Sequence, residues 1–144
     1  MKDLYQTDFY SWTQQQAELI RSGRIAELDL HNLLEEIEGM GRSDYRALQS
    51  RLTVLLMHLL KWQYQPDKQL TGHSWESTIK EQRKQIRRQL RANVGLKSKI
   101  PEMLPLAYGD AVEDAHDETG IPASSFPNLC PWRFEEVVDA NFKP

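Results

Sequence analysis

From Leu30 to Trp62 an apolar residue, or Gly41, stands at 30, 34, 37, 41, 45, 48, 52, 55, 59 and 62, so steps of four and three alternate. A mean step of about 3.5 keeps one seam of a helix against its neighbours, and the spacing predicts one long helix serving as the mostly interior spine of a helical bundle. The irregular step from 41 to 45 falls beside Gly39 and Gly41. Glycine inside a helix costs about 1 kcal/mol against alanine, so a bend or break is expected there. Asp29 can cap the first turn. The spine ends before Gln65-Pro66, because a residue preceding proline avoids the helical region.

Four further segments carry helical signals. Asp8 to Arg21 reads as a first helix, with Thr7 as N-cap, Phe9, Trp12, Leu19 and Ile20 facing inward, and Gly23 as the stop. Pro66 to His73 reads as a loop, after which Ser74 caps a third helix reaching about Asn93, with Trp75, Ile79, Ile86, Leu90 and Val94 on its buried edge. At about 100 degrees per residue, Lys80, Arg83, Lys84, Arg87, Arg88 and Arg91 then share one basic face. A short turn from Ser98 is expected to lead into a main helix over Pro105 to Thr119, since proline suits a first turn and not an interior. Its apolar positions are Ile100, Leu104, Tyr108, Ala111 and Ala115, and Asp110, Glu113, Asp114, Asp117 and Glu118 lie on the opposite, acidic side. Ile121 to Pro131, with three prolines, reads as a strap docked through Ile121 and Phe126, and a last turn is expected over Trp132 to Val138 with Pro131 at its first position. No strand signal and no internal repeat is found.

Bulk charge changes this picture less than its distribution does. The chain of 144 residues has a net charge of -3. Residues 1 to 65 carry -2, residues 66 to 99 carry +6 and residues 100 to 144 carry -7. Such segregation means that the basic and acidic segments face each other or that each offers its field to a partner. A chain of this length buries roughly 68% of its unfolded surface without disulfide or metal staples, and one helical domain spanning 1-144 is expected. The lone Cys130 cannot form an internal bridge, and the first ten residues lack the basic start and apolar run of a secretory signal. A cytoplasmic location is the expectation. The mean hydropathy is -0.64, and no uncharged apolar stretch approaches the ~20 residues that span a bilayer.

Three strings stand out in the first half of the chain: Leu4-Tyr5-x-x-Asp8-Phe9-Tyr10-x-Trp12, Leu28-Asp29-x-x-Asn32-Leu33-x-Glu35-Glu36-Ile37-Glu38 and Leu55-Leu56-x-His58-Leu59-Leu60-Lys61-Trp62. Ser74-Trp75-x-x-Thr78-Ile79-x-x-Gln82-Arg83, Glu118-Thr119-Gly120 and Phe126-Pro127-x-x-Cys130-Pro131 follow in the second half. In this order the strings resemble one bacterial family catalogued as domain of unknown function 29. The loop Asp67 to His73 differs from the family pattern, which is richer in arginine. The resemblance implies an all-helical domain and supplies no activity, cofactor or catalytic residue.

The residues themselves offer a few candidate sites. His58, the one polar residue between Val54 and Leu60, is either a general base or metal ligand, or a buried neutral imidazole bonded to a nearby carbonyl, carboxylate or tyrosine; the second reading is favoured. Glu36, Arg51 and His58 lie along one flank of the spine, and with Lys61 and Arg83 they could join a buried polar network, against the alternative of ordinary salt bridges. Glu113-x-x-His116 matches half of a di-iron element, to which His31 and Glu35 could add ligands, but only one copy exists and no metal site is favoured. His73-Ser74 with Asp67 suggests a hydrolase, yet Ser74 serves better as a cap and no nucleophile elbow is present. A phosphate loop, a dinucleotide fingerprint and a zinc helix are absent too.

The sequence therefore predicts an all-α fold: one bundle of four main helices with a long central second helix and a short C-terminal helix. A non-enzymatic interaction module with a protein partner or a second copy is the leading expectation, with no cofactor, membrane or small-molecule substrate. Nucleic-acid binding through Lys80, Arg83, Lys84, Arg87, Arg88 and Arg91 is the alternative. A metal-dependent enzyme built on His58, Glu36, Arg51 or the Glu113 and His116 pair is a third.

Overall fold

The computed structural model describes residues 3–71 and 73–144, with backbone alone for 69–71 and 73. Gly72 and the side chain of His73 lie outside the described residues. Six α-helices and no strand are found among those residues, which establishes the all-α class. They are α1 (Leu4–Thr7), α2 (Phe9–Arg21), α3 (Leu30–Tyr64), α4 (His73–Ala92), α5 (Ile100–Thr119) and α6 (Phe134–Val137). The chain divides into two compact units, Met1–Ser43 and Asp44–Pro144.

In the first unit, aspartates start the helices. The Asp3 side chain caps α1, accepting from the Gln6 amide at 3.1 Å. Asp8 rather than Thr7 caps α2, accepting from the Ser11 amide at 3.1 Å and the Ser11 hydroxyl at 2.7 Å. A carboxylate satisfies the free amides of a first turn while favouring the positive end of the dipole. Thr7 instead closes α1 and donates its hydroxyl to the Asp3 carbonyl. α2 ends in a Schellman arrangement, in which Arg24 N–H reaches the Leu19 carbonyl at 2.8 Å and Gly23 N–H the Ile20 carbonyl at 3.1 Å. Gly23 adopts the required left-handed φ of 76°.

Asp29 holds the unit together. Its carboxylate accepts from Trp12 Nε1 at 3.0 Å, from Asn32 Nδ2 at 2.7 Å and from the Asn32 amide at 3.3 Å, while its own amide donates to buried Gln16 at 2.8 Å. Only Trp12, Gln16 and Leu19 of α2 are buried; Phe9 and Ile20, expected inward, are 48% and 53% exposed. The helix thus covers a narrower edge than its apolar count suggests.

Over Leu30–Tyr64 α3 is one unbroken helix of 35 residues, so the glycines at 39 and 41 neither break nor end it. They remove no backbone hydrogen bond, and their entropic cost is small beside the burial that follows. The predicted seam splits in two. Leu48, Leu52, Leu55, Leu56, Leu59 and Leu60 have no exposed surface, whereas Leu30, Leu34 and Ile37 are 67%, 56% and 59% exposed. Periodicity specifies a face of a helix, not the element that covers it, and the expectation of an interior spine holds only from Leu48 onward.

The second unit packs α4, α5, α6 and the intervening strap around this leucine stretch. α4 begins at His73, which places Ser74 inside its first turn rather than at the cap. Ile79, Ile86 and Leu90 are buried, but Val94 lies past the helix end and is 62% exposed. α5 begins at Ile100 and passes through Pro105 without interruption. Proline there lies in the second turn and removes one intrahelical bond, to the Pro101 carbonyl. Ile100, Met103, Ala107, Tyr108, Ala111 and Ala115 all become buried along the continuous face, which offsets the loss. The strap docks through Phe126, edge-on to Tyr64 at 5.1 Å, and through Pro127, whose carbonyl accepts from the Tyr108 hydroxyl at 2.6 Å. α6 is shorter than expected and starts three residues beyond Pro131, with Val137 fully buried.

Candidate functional site

On one flank of α4 the residues Glu76, Ile79, Lys80, Arg83 and Arg87, with Ala140 and Lys143 from the C-terminal segment, enclose a cleft of about 350 Å³. Four cations face a single carboxylate. Spacing within the helix explains their convergence: 76, 80, 83 and 87 follow steps of four and three and fall on one side. Arg83 is the anchor, only 2% exposed, donating Nε to the Val137 carbonyl at 2.8 Å and a terminal nitrogen to the Phe142 carbonyl at 2.7 Å. Burial pulls its guanidinium below the ordinary value, Asp139 opposes that shift, and the like charge of Arg87 adds to it. Lys143 pairs with Glu76 and sits over the Trp62 ring at 4.7 Å from its centroid. Lys80 and Arg87 are exposed at the rim, as is Lys143. Arg87 keeps only a long 3.4 Å contact to the Val138 carbonyl.

The basic face expected from the sequence is therefore divided. Lys80, Arg83 and Arg87 line this cleft, while Arg88 lines a shallower groove of about 370 Å³ on the other flank of α4, with Arg51, Gln85, Gln89, Asp44 and Ala47. Lys84 and Arg91 are exposed.

The flank network imagined along the spine does not assemble. Glu36 accepts a hydrogen bond from the Tyr5 hydroxyl within the first unit, and that bond, with the nearby Glu35 and Asp29 charges, pushes the phenol up to about 12. Lys61 is buried, bonded to Glu118 at 2.6 Å and placed 5.1 Å from the Trp75 ring centre. His58 is half-buried, with Nδ1 2.8 Å from the Val54 carbonyl one turn back, so that nitrogen carries the proton. Desolvation lowers its pKa below 6.5, the Val54 bond opposes that, Lys61 lowers it further and Glu118 raises it. His58 lines neither the α4 cleft nor the groove beside Arg88.

Glu113 and His116 are exposed and do not converge with a third ligand: among the described residues no three His, Cys, Asp or Glu side chains are grouped to hold an ion. His116 Nδ1 meets the Ile121 carbonyl at 2.7 Å, and Glu113 joins Asp110, Asp114, Ser50, Thr53 and Val54 around an acidic groove of about 410 Å³. His31 and Glu35 are exposed, with Glu35 3.4 Å from Arg42. Cys130 is half-buried, its thiol directed at the Trp132 carbonyl and pushed up by burial. No helix among the described residues is long and apolar enough to cross a membrane.

One family model, Domain of unknown function DUF29, matches residues 4–143. The chain belongs to this family. No curated protein and no solved structure is significantly similar to it. Within this DUF29 domain the sequence strings that carry the resemblance fall on structural centres: Tyr5, Trp12, Asp29, Asn32 and Glu36 in the first unit, His58, Lys61, Trp75 and Glu118 in the second. The cleft residues that sequence reasoning missed are Glu76, Ala140 and Lys143, because their meeting depends on how the C-terminal segment returns to α4. One hint existed, the buried-edge position of Arg83 beside Ile79 and Ile86.

Proposed function

We propose that this DUF29 domain is a non-enzymatic interaction module whose α4 cleft takes an acidic segment of a protein partner. The observation that supports this reading is the cleft itself, where Lys80, Arg83, Arg87 and Lys143 face the single carboxylate of Glu76. A concave, partly apolar wall beside clustered cations suits carboxylate side chains on a short peptide. Single-stranded nucleic acid asks for more, since its bases need open aromatic faces as platforms. The nearby rings are engaged: Lys143 covers Trp62, and Lys61 lies against Trp75. Neither ring lines the cleft.

A fluorescent peptide of alternating aspartate, glutamate and small residues provides the test, beside an oligonucleotide of equal charge. The peptide is expected to bind with an affinity that falls about tenfold in the Lys80→Glu and Arg87→Glu double variant and declines with added salt. Arg83 is left intact in that variant so that the fold is undisturbed. Tighter binding of the oligonucleotide would assign the cleft to nucleic acid instead, and no binding of either at low salt would remove the proposal.

A further inference from the structure

The first three turns of α3 expose Leu30, Leu34, Ile37 and Met40 at 67%, 56%, 59% and 62%. Isolated exposed apolar residues are normal, but Leu30, Leu34 and Ile37 recur at steps of four and three on one side of a continuous helix, with Met40 at the edge of that row one turn beyond Glu36. The opposite side is already used. Asp29, Asn32 and Glu36 turn toward Trp12 and Tyr5 through hydrogen bonds. Gly41 continues the apolar row, and a Cβ there would meet nothing within 4 Å, so the row ends in open space. A helix face with this spacing is shaped to receive another helix, whose side chains enter between successive turns.

Charge indicates what kind of helix. Residues 1 to 43 carry four lysines and arginines against eight aspartates and glutamates, a net charge of -4. Along the rim of the apolar row Glu35 and Glu38 are exposed, and Arg42, which lies 3.4 Å from Glu35, is the neighbouring cation. A second copy would bring an equally acidic unit against this rim. From this combination we infer that the exposed face of α3 between Leu30 and Gly41 docks an amphipathic helix of a partner protein, apolar along its seam and rich in lysine or arginine at its flanks. The seam supplies apolar burial and the flanks meet Glu35 and Glu38, which fixes register and speeds encounter. This surface lies on the acidic first unit, so its success or failure is independent of the α4 cleft.

The test uses the full chain and two synthetic helical peptides with leucine at the seam positions, one flanked by lysines and one by glutamates. The lysine peptide is expected to bind with micromolar affinity, at least tenfold tighter than the glutamate peptide. Leu34→Ser with Ile37→Ser should weaken it at least tenfold without altering the charge, and Glu38→Lys should weaken it about threefold with a shallower salt dependence. Both sites are exposed, so circular dichroism should report an unchanged fold. Oxidative footprinting of the unmodified protein adds a measurement that no folding defect can confound: Met40 should be protected by the lysine peptide. Binding that ignores the serine substitutions, equal binding of both peptides, or an unprotected Met40 would each overturn the inference. So would a dimer in sedimentation that the serine variant dissolves, because a second copy would then occupy the face.

Discussion

Arg83 belongs to a run of cations, but it sits at the inner margin of α4, between Ile79 and Ile86, and spends its hydrogen bonds on two backbone carbonyls. Replacing it by methionine keeps an apolar stem but strands the Val137 and Phe142 carbonyls, and a loss of about 2–4 kcal/mol in urea denaturation is expected from breaking bonds to a charged group. Arg83→Lys should recover only part of that, since its single nitrogen cannot take the places of both Nε and the terminal nitrogen. His58 yields a prediction about pH. Its folded pKa lies below 6.5, chiefly through desolvation, so the unfolded chain binds the proton first as pH falls. Stability is therefore highest above about 6.5 and declines as pH drops through the interval down to the depressed folded value, after which this residue contributes no further change. The difference between wild type and His58→Gln in urea midpoints at pH 7.5 and 5.5 isolates the effect. The wild type should lose more, and equal losses would show that the imidazole is not desolvated. The neighbours of His58 were only half legible: the i−4 carbonyl follows from the helix, whereas Lys61 and Glu118 meet only because α5 passes beside α3.

At the scale of elements, α3 shows what periodicity can and cannot say. One repeat runs from Leu30 to Trp62 and one helix results, but its two ends have different surroundings. Leu55→Ala should cost about 3–5 kcal/mol, the range for a sealed leucine that leaves a cavity. Leu34→Ala, on the same helix and in the same repeat, should change stability by no more than about 0.5 kcal/mol, because its side chain is already mostly in water. Chemical denaturation of the two variants checks the contrast, and a cost above 2 kcal/mol for Leu34→Ala would mean that the face is covered in solution. The same limit explains the other boundary errors. Thr7 and Asp8 are both acceptable caps in isolation, and the carboxylate wins because it bonds both the amide and the hydroxyl of Ser11. Pro105 argues locally for a break, and α5 ignores it because the helix buries six side chains along a continuous face. The cleft residues Glu76 and Lys143, 67 positions apart, could not be paired from neighbours in the chain.

For the whole molecule the decisive asymmetry is in burial. Apart from Trp12, Gln16 and Leu19, every fully buried side chain among the described residues belongs to Asp44–Pro144, where six sealed leucines of α3 join Ile79, Ile86, Met103 and Val137. The first unit rests instead on a compact set of polar bonds around Asp29, whose carboxylate the Asn32 side chain holds below its usual range against the opposing pull of burial. Individual hydrogen bonds contribute about 1 kcal/mol each after their competition with water, while a sealed leucine contributes about 1.5–3 kcal/mol. Local opening should therefore cost less in residues 9–21 than in residues 52–60. Native-state hydrogen exchange measures this directly. Amides of α2 and of the first turns of α3 should exchange through openings well below the global unfolding free energy, and those from Leu52 to Leu60 only through global unfolding. Protection should thus change along one continuous helix, near the boundary at Ser43 and Asp44. Uniform protection from Leu30 to Tyr64 would show instead that the early turns gain stability from a covering element. Rising protection of those turns on addition of the lysine-flanked peptide, with Leu52 to Leu60 unchanged, would tie the weaker unit to the docking face on α3.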